Sequence, residues 1–463
     1  TNVVSNNTMA VVGMMATDYY GTGTIDATIA DCSFENTEMA VMLQADLIGT
    51  VSVTNTFASG LYTMTALQPS TAFDIIAMEE GALTTVVFDH VTAEGFGTVF
   101  YVLVHNDLDL TIDSAVTNDT GTIGYFEALD LGQNATMNIV VVNSSFSNTT
   151  TGLVFVTNIL DPDFSLLGTN TFTNIFGQSL ILEADLGDVV MNFEQFVMTN
   201  GGGISVFLGI GNIEVNIIDS MMDCSGYGTV LDLFVNSNAL DNGFITLNVV
   251  NSTLSDAENG IRTYSEELVV AAMDDANFVN MTGTALHFEV RSATSTGRVL
   301  AIALNNVTGE NLGAGMFLYL NDGSLDLIIT DSHLQTEFFG VQVEVSCLLP
   351  DDLSVIDLAV TGSVFEDGVY GIYATSVNGG TAVITGSEFL GHSGIGYWFD
   401  SLYGEMDVEI TDSIFDGSSG ADITVYMVEE VENAFQLIGR NYWTMGVDAW
   451  TGGGRWIELP FAF

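Results

Sequence analysis

The sequence predicts an all-β chain wound as a parallel β-helix, a solenoid of about 15 coils. Three observations carry that prediction. One short motif recurs through nearly the whole chain. Apolar residues alternate at period two on either side of it, and long helical periodicity is absent. The composition joins 48% hydrophobic residues to 59 acids against five Arg and no Lys, a formal net charge of −54. A disordered acidic tail would lack so much Phe, Ile and Val, so the acids belong on the outside of an ordered fold.

Within each repeat the elements follow in a fixed order. A β-branched run comes first, as in EITDSIF (409–415), VVNSSF (141–146), VVNSTL (249–254) and IITDSHL (328–334). It reads as a strand closed by Asp or Asn, then Ser. After one free position stands a large apolar anchor. The anchors are Phe34, Phe57, Val91, Val116, Phe146, Phe172, Phe196, Met222, Leu254, Phe278, Val307, Leu334, Phe365, Phe389 and Phe415. Their spacing of 23 to 34 residues places insertions inside a roughly constant unit. The residue two before the anchor is Ser in eight repeats and Asn in three. Small polar side chains there suit a turn in which they bond the backbone, or each other, up the stack. A Gly follows the anchor by three to six residues in 14 of the 15 repeats. A second alternating run begins there, as in GLVFVTN (152–158) and GVQVEVS (340–346). Each unit thus holds two clear strands and room for a third.

Other repeat folds fit less well. A leucine-rich repeat would show Leu at fixed positions, and a propeller blade needs about 40 residues. In stacked coils, equivalent positions lie about 4.8 Å apart, so the anchors form one interior column. The repeat unit resembles that of right-handed parallel β-helix proteins, the pectin-lyase-like superfamily, over roughly residues 9–426. The resemblance implies the right-handed winding, which the handedness of parallel crossovers also favours. The Phe-x-Asn pieces at Phe34, Phe146, Phe172 and Phe278 also resemble repeats of bacterial surface β-helices.

The motif stops near Tyr426, which divides the chain into a β-helix (1–426) and a C-terminal segment (427–463). At the other end the chain is expected to begin partway through a coil. The C-terminal segment holds Trp443, Trp450, Trp456, Arg455, Phe461 and Phe463. It reads either as a cap over the last coil or as a contact surface for another subunit, since aromatics and Arg are enriched at such contacts.

The resemblance implies two catalytic patterns, and the sequence lacks both. Pectate lyases of this fold use Asp-bound calcium and an Arg base, but no Arg here sits beside an Asp cluster; Arg262 reads as solvent-facing. Polygalacturonases carry paired Asp and a Gly-His-Gly motif. Asp274-Asp275 falls on an ordinary turn, and Gly391-His392-Ser393-Gly394 is a partial match in another repeat. The five His are scattered over separate repeats and are expected at turns or facing solvent, whereas zinc needs three or four convergent ligands. No cofactor is predicted. Calcium or another divalent cation is compatible with the column of Asp31, Asp113, Asp219, Asp275, Asp331 and Asp412, although these read chiefly as turn formers. Cys32, Cys224 and Cys347 are expected to stay thiols, because Cys32 and Cys224 fall seven coils apart and a bridge needs Cα atoms within about 7 Å. Among the glycosylation sequons, Asn118, Asn148 and Asn280 are placed on one turn, with Asn143 and Asn251 as further acceptors.

Charge narrows the function. Fifteen coils predict a rod about 70 Å long bearing about 0.75 charges per Å, against about 0.6 for duplex DNA. Nucleic acid is excluded as a partner, and so is direct membrane insertion, since no apolar run approaches 20 residues. The leading expectation is a non-enzymatic extracellular or cell-surface structural protein: a subunit of a filament, fibre or layer, or an adhesin shaft, self-associating end to end and dependent on cations. The alternative is a carbohydrate-active enzyme or glycan-binding module on the same fold, which exposed aromatics and carboxylates gathered on one side would favour.

Overall fold

The structure is a computed structural model that describes residues 4–6, 10–16, 23–60, 70–78, 83–105, 107–129, 136–158, 162–224, 228–236, 243–291, 298–346, 354–401, 405–417, 422–427, 434–438, 442–443, 447–451 and 455–459. Two compact units, 1–225 and 226–463, are each a right-handed parallel β-solenoid, and together they make about 14 turns. No helix occurs among the described residues.

Most coils contain three strands, although in the first unit Leu47–Gly60 and Thr84–Glu94 each run through the first and second positions, and Val116–Ala128 and Ser145–Thr157 through the second and third. One coil of the second unit runs Phe244–Val250, Thr253–Ala257 and Asn259–Ser265; the next runs Leu268–Asp274, Asn277–Met281 and Thr284–Val290. Leu247 pairs with Ala271, Leu254 with Phe278 and Ile261 with Leu286, all in parallel register. Three sheets result in each unit, called here first, second and third in chain order. The short middle strand bears the anchor.

Alternation decides which side chains enter. In Leu268–Asp274 every second residue is buried and the others face out, as period-two geometry requires. The interior is filled by stacked apolar rows. In the first unit, Phe126, Phe155, Phe164, Phe193, Phe196, Phe172 and Phe146 form a chain of ring contacts with centroids 4.8 to 6.3 Å apart. In the second, Phe365, Phe389 and Phe415 stack at 5.0 and 4.6 Å, the latter pair within 1° of parallel.

The anchor column differs from the expected one in five coils. Register places Ala58, Ala93, Thr117, Met198 and Gly309 there, not Phe57, Val91, Val116, Phe196 and Val307. The pattern picks the bulkiest residue near the bend, but the column accepts a small one when a neighbour supplies the volume. Val91, Phe196 and Val307 are buried two positions earlier, where other coils carry Ser. At Gly309 the space a side chain would occupy is taken by Leu312 and Leu334. Val116 is 45% exposed, because a one-residue slip turns a strand residue to the opposite face.

The motif fades near Tyr426, yet parallel pairing persists beyond it. Ala434–Ile438 pairs with Glu405–Thr411, Tyr442–Trp443 with Ile414–Asp416, and Val447–Thr451 with Ile423–Met427. These strands make one more turn, and Arg455–Leu459 then pairs antiparallel to Val447–Thr451.

Candidate functional site: the two bends and the outer face of the third sheet

The first bend separates the first and second sheets. One residue there adopts left-handed backbone: Asp31, Asn55, His90, Ser114 and Asn143 in the first unit, Asn251, Asp275, Asn306, Asp331 and Asp412 in the second, all with φ between 46° and 54°. Asn and Asp tolerate this region best among residues with a side chain, and glycines 168, 362 and 386 take the same place in other coils. This geometry accounts for the Asp column. Asp31, Asp219, Asp275, Asp331 and Asp412 are bend residues, whereas Asp113 stands one position early and accepts from Ser114 Oγ at 2.8 Å. Asp31 accepts from Asn55 Nδ2 of the next coil at 3.3 Å, and Asp275 accepts from Asn306. Among the described residues no group of three or more His, Cys, Asp or Glu converges as metal ligands do.

The following residue begins an inner ladder. Ser332 Oγ donates to Thr330 O at 2.9 Å and accepts from Val307 N of the preceding coil at 3.1 Å. Ser363, Ser387 and Ser413 repeat both bonds. Each buried hydroxyl is thereby satisfied by backbone, as burial demands.

The second bend carries an amide ladder. Asn148, Asn174 and Asn200 all have φ between 51° and 56°, and Asn174 Nδ2 donates to Asn148 Oδ1 (3.0 Å) while Asn200 Nδ2 donates to Asn174 Oδ1 (3.1 Å). Asp256, Asn280 and Asn311 repeat the arrangement in the second unit. The sequons are therefore largely a by-product of bend chemistry: Asn143 and Asn251 are first-bend residues, Asn148 and Asn280 second-bend ones. Asn118 is not on their turn. It stands level with Ser147, one position before the bend residue Asp119, and accepts from Asn148 Nδ2 at 2.8 Å. The slip that misplaced the Val116 anchor also misplaced Asn118 and Asp113.

Cys32 and Cys224 are buried thiols; Cys32 Sγ donates to Ala30 O at 3.2 Å, and burial pushes the Cys224 thiol up to about 12. Cys347 lies outside the described residues, as do Phe461 and Phe463. Trp443 is level with Phe415, in the register of the anchor column. Trp450 faces Trp456 across the antiparallel pair, and Arg455 faces Thr451. His392 is not solvent-facing: it is fully buried, beneath the backbone of Gly371.

The sequence pattern did not single out the third sheet's outer face. Two outward rows cross the coils of the second unit. One runs Asp232, Arg262, His287, Phe317, Gln342, Tyr373, Trp398. The other runs Phe234, Tyr264, Glu289, Tyr319, Glu344, Thr375, Asp400 in the same registers. All are half-buried save the exposed Arg262. At one end charges pair: Arg262 with Asp232 (Nε–Oδ1 2.9 Å), and Glu289 with His287 (2.6 Å) and Arg291 (2.8 Å), the Arg291 guanidinium lying 4.4 Å from the Tyr319 ring centre. The His287 hydrogen bond, with Arg291 assisting against burial, holds the Glu289 carboxyl below its ordinary range. At the other end rings gather: Tyr373 lies 5.8 Å and Tyr370 6.5 Å from Trp398, with Gln342 Nε2 donating to Glu344 Oε1 at 2.6 Å. Burial pushes Asp400 up, and burial together with Asp400 and Glu344 pushes the Tyr373 hydroxyl up. In the first unit the same rows hold a stacked Tyr101–Tyr125 pair at 5.6 Å, with Tyr125 Oη donating to Glu127 at 3.2 Å. Period-two alternation after each Gly could have exposed these rows once register was known.

No family model matches the chain, and neither the curated proteins nor the solved structures give a match.

Proposed function

We propose that the chain is a non-enzymatic structural protein of the extracellular or cell-surface space, acting as a subunit of a filament, fibre or layer or as an adhesin shaft. One observation supports this reading most: coil after coil, the same bend residues and ladders are used in both units. Asn148, Asn174 and Asn200 in one unit, and Asp256, Asn280 and Asn311 in the other, solve the second bend identically. Near-identical coils offer strand edges that a second copy can extend, and such head-to-tail contacts propagate where they do not close. The acids work against association until cations screen them, so assembly is expected to depend on divalent ions. The tryptophans of 443–456 are the candidates for the subunit contact.

Electron microscopy and light scattering of the purified chain, with and without calcium, test this. Filaments, fibres or sheets are expected with calcium. Discrete monomers under both conditions would sink the filament, fibre or layer reading.

A further inference from the structure

Beyond a structural role, the geometry points to a ligand surface: we propose that the ring-rich end of the third sheet in the second unit, built on Tyr370, Tyr373, Trp398, Gln342, Glu344 and Asp400, binds a neutral polysaccharide laid along the sheet. These side chains point outward in register and are only half-buried. They leave the interior of the coil to Ile372, Ala374, Tyr397 and Phe399, which are fully buried. Three rings so arranged form an uneven platform: Trp398 is edge-on to Tyr370 at 86° and tilted 44° to Tyr373. Phe339, stacked 16° from parallel with Tyr370, and Phe338, 52% exposed, extend it toward the preceding coil.

The occupant follows from charge and from the mixture of groups. A pyranose ring offers C–H bonds on its faces and hydroxyls at its rim. Aromatic faces receive the first, being apolar with a negative quadrupole. Carboxylate and amide groups bond the second, since an ionised carboxylate accepts only and an amide both donates and accepts. Glu344, Gln342 and Asp400 stand beside the rings for that purpose, and the protonated Tyr373 hydroxyl is a donor. An acidic glycan is disfavoured. Arg262 and Arg291 lie at the other end of the face, each bound to a carboxylate of its own, and the chain as a whole carries −54. The rows continue through successive coils about 4.8 Å apart, which suits an extended chain over a single sugar.

The test is affinity electrophoresis of the full chain in native gels containing laminarin, galactomannan, xyloglucan or polygalacturonate. Retardation is expected in at least one neutral gel and not in polygalacturonate. Trp398→Ala and Tyr373→Ala should each weaken that retardation about tenfold with the thermal melt unchanged. If either alanine variant melts early, Gln342→Ala and Asp400→Asn carry the test, since both sit outside the core and should weaken binding several-fold. Migration unaltered in every neutral gel, retardation untouched by these variants, or stronger retention by polygalacturonate would each overturn the proposal.

Discussion

Single polar residues sealed among the coils set the chain's response to acid. His392 is fully buried. Burial pushes its imidazole below the ordinary value, and the nearby Asp367 and Phe365 oppose this only in part. The unfolded chain, with an imidazole near about 6.5, therefore takes up the proton more readily than the folded one. The stability that the neutral ring contributes is complete above that value and is lost as pH falls through the folded value. Urea unfolding at pH 7.5 and 5 should show the wild type losing more stability than His392→Leu over that interval. Equal losses in the two proteins would contradict a buried neutral ring. Gly391-His392-Ser393-Gly394 partly matches a Gly-His-Gly motif, but the His392 ring faces the interior, where a substrate on the surface does not reach it.

At the scale of the element, the bends carry the regularity. Asn174 has φ 56°, donates to Asn148 and accepts from Asn200. Asn174→Ala forfeits both bonds, each worth about 1 kcal/mol, and keeps a Cβ in left-handed backbone without the polar side chain that lets Asn tolerate it. Asn174→Gly forfeits the bonds alone. Chemical denaturation should show a loss of about 2 kcal/mol or more for Ala and a smaller one for Gly, which adopts this backbone without a Cβ; equal losses would mean that backbone conformation contributes nothing there. The same bends explain what could be read from sequence. Coil, strand order and the Ser ladder were legible because Asp or Asn followed by Ser is local turn chemistry, repeated. The exact column was not legible where bulk and register part company. At Val116 a β-branched residue faces solvent while Thr117 takes the core place, and the assignments of Asp113 and Asn118 slipped with it. The glycine signal mixed two places: Gly340 lies where a Cβ would meet the backbone of Gly371 in the next coil, whereas Gly95 has φ 69° at the second bend. The ring-bearing face of the third sheet was hidden for a further reason. Its members are 25 to 31 residues apart, as Tyr373 and Trp398 or Asp232 and Arg262 show, and only pairing brings them level.

For the whole molecule the governing quantity is the −54 charge, spread over about 14 turns. Like charges directly opposite across a sheet destabilise it, and Asp326 is level with Asp357 in neighbouring coils. Burial, with Asp357 adding to it, pushes Asp326 up, while burial alone pushes up Asp74 and Asp400. A carboxyl raised in the folded state opposes folding while ionised, and that opposition is relieved as pH falls through its folded value. The sign is opposite to that of His392, so the two effects separate in the His392→Leu background. There, the unfolding midpoint should rise as pH falls from neutral toward the ordinary Asp range of about 4, and at neutral pH on raising NaCl from about 0.02 to 0.5 M, where the Debye length contracts to a few ångströms. A midpoint that falls with salt would contradict the repulsion argument. Calcium and magnesium compared at one ionic strength then divide the two causes of the acidity. Equal gains mean general screening of a polyanion. An excess for calcium means ligation by oxygen, and because Asp31 and Asp275 already accept from the next coil's Asn, ligation there would have to displace those bonds, so Asp275→Asn should abolish part of the excess and leave the NaCl response unchanged.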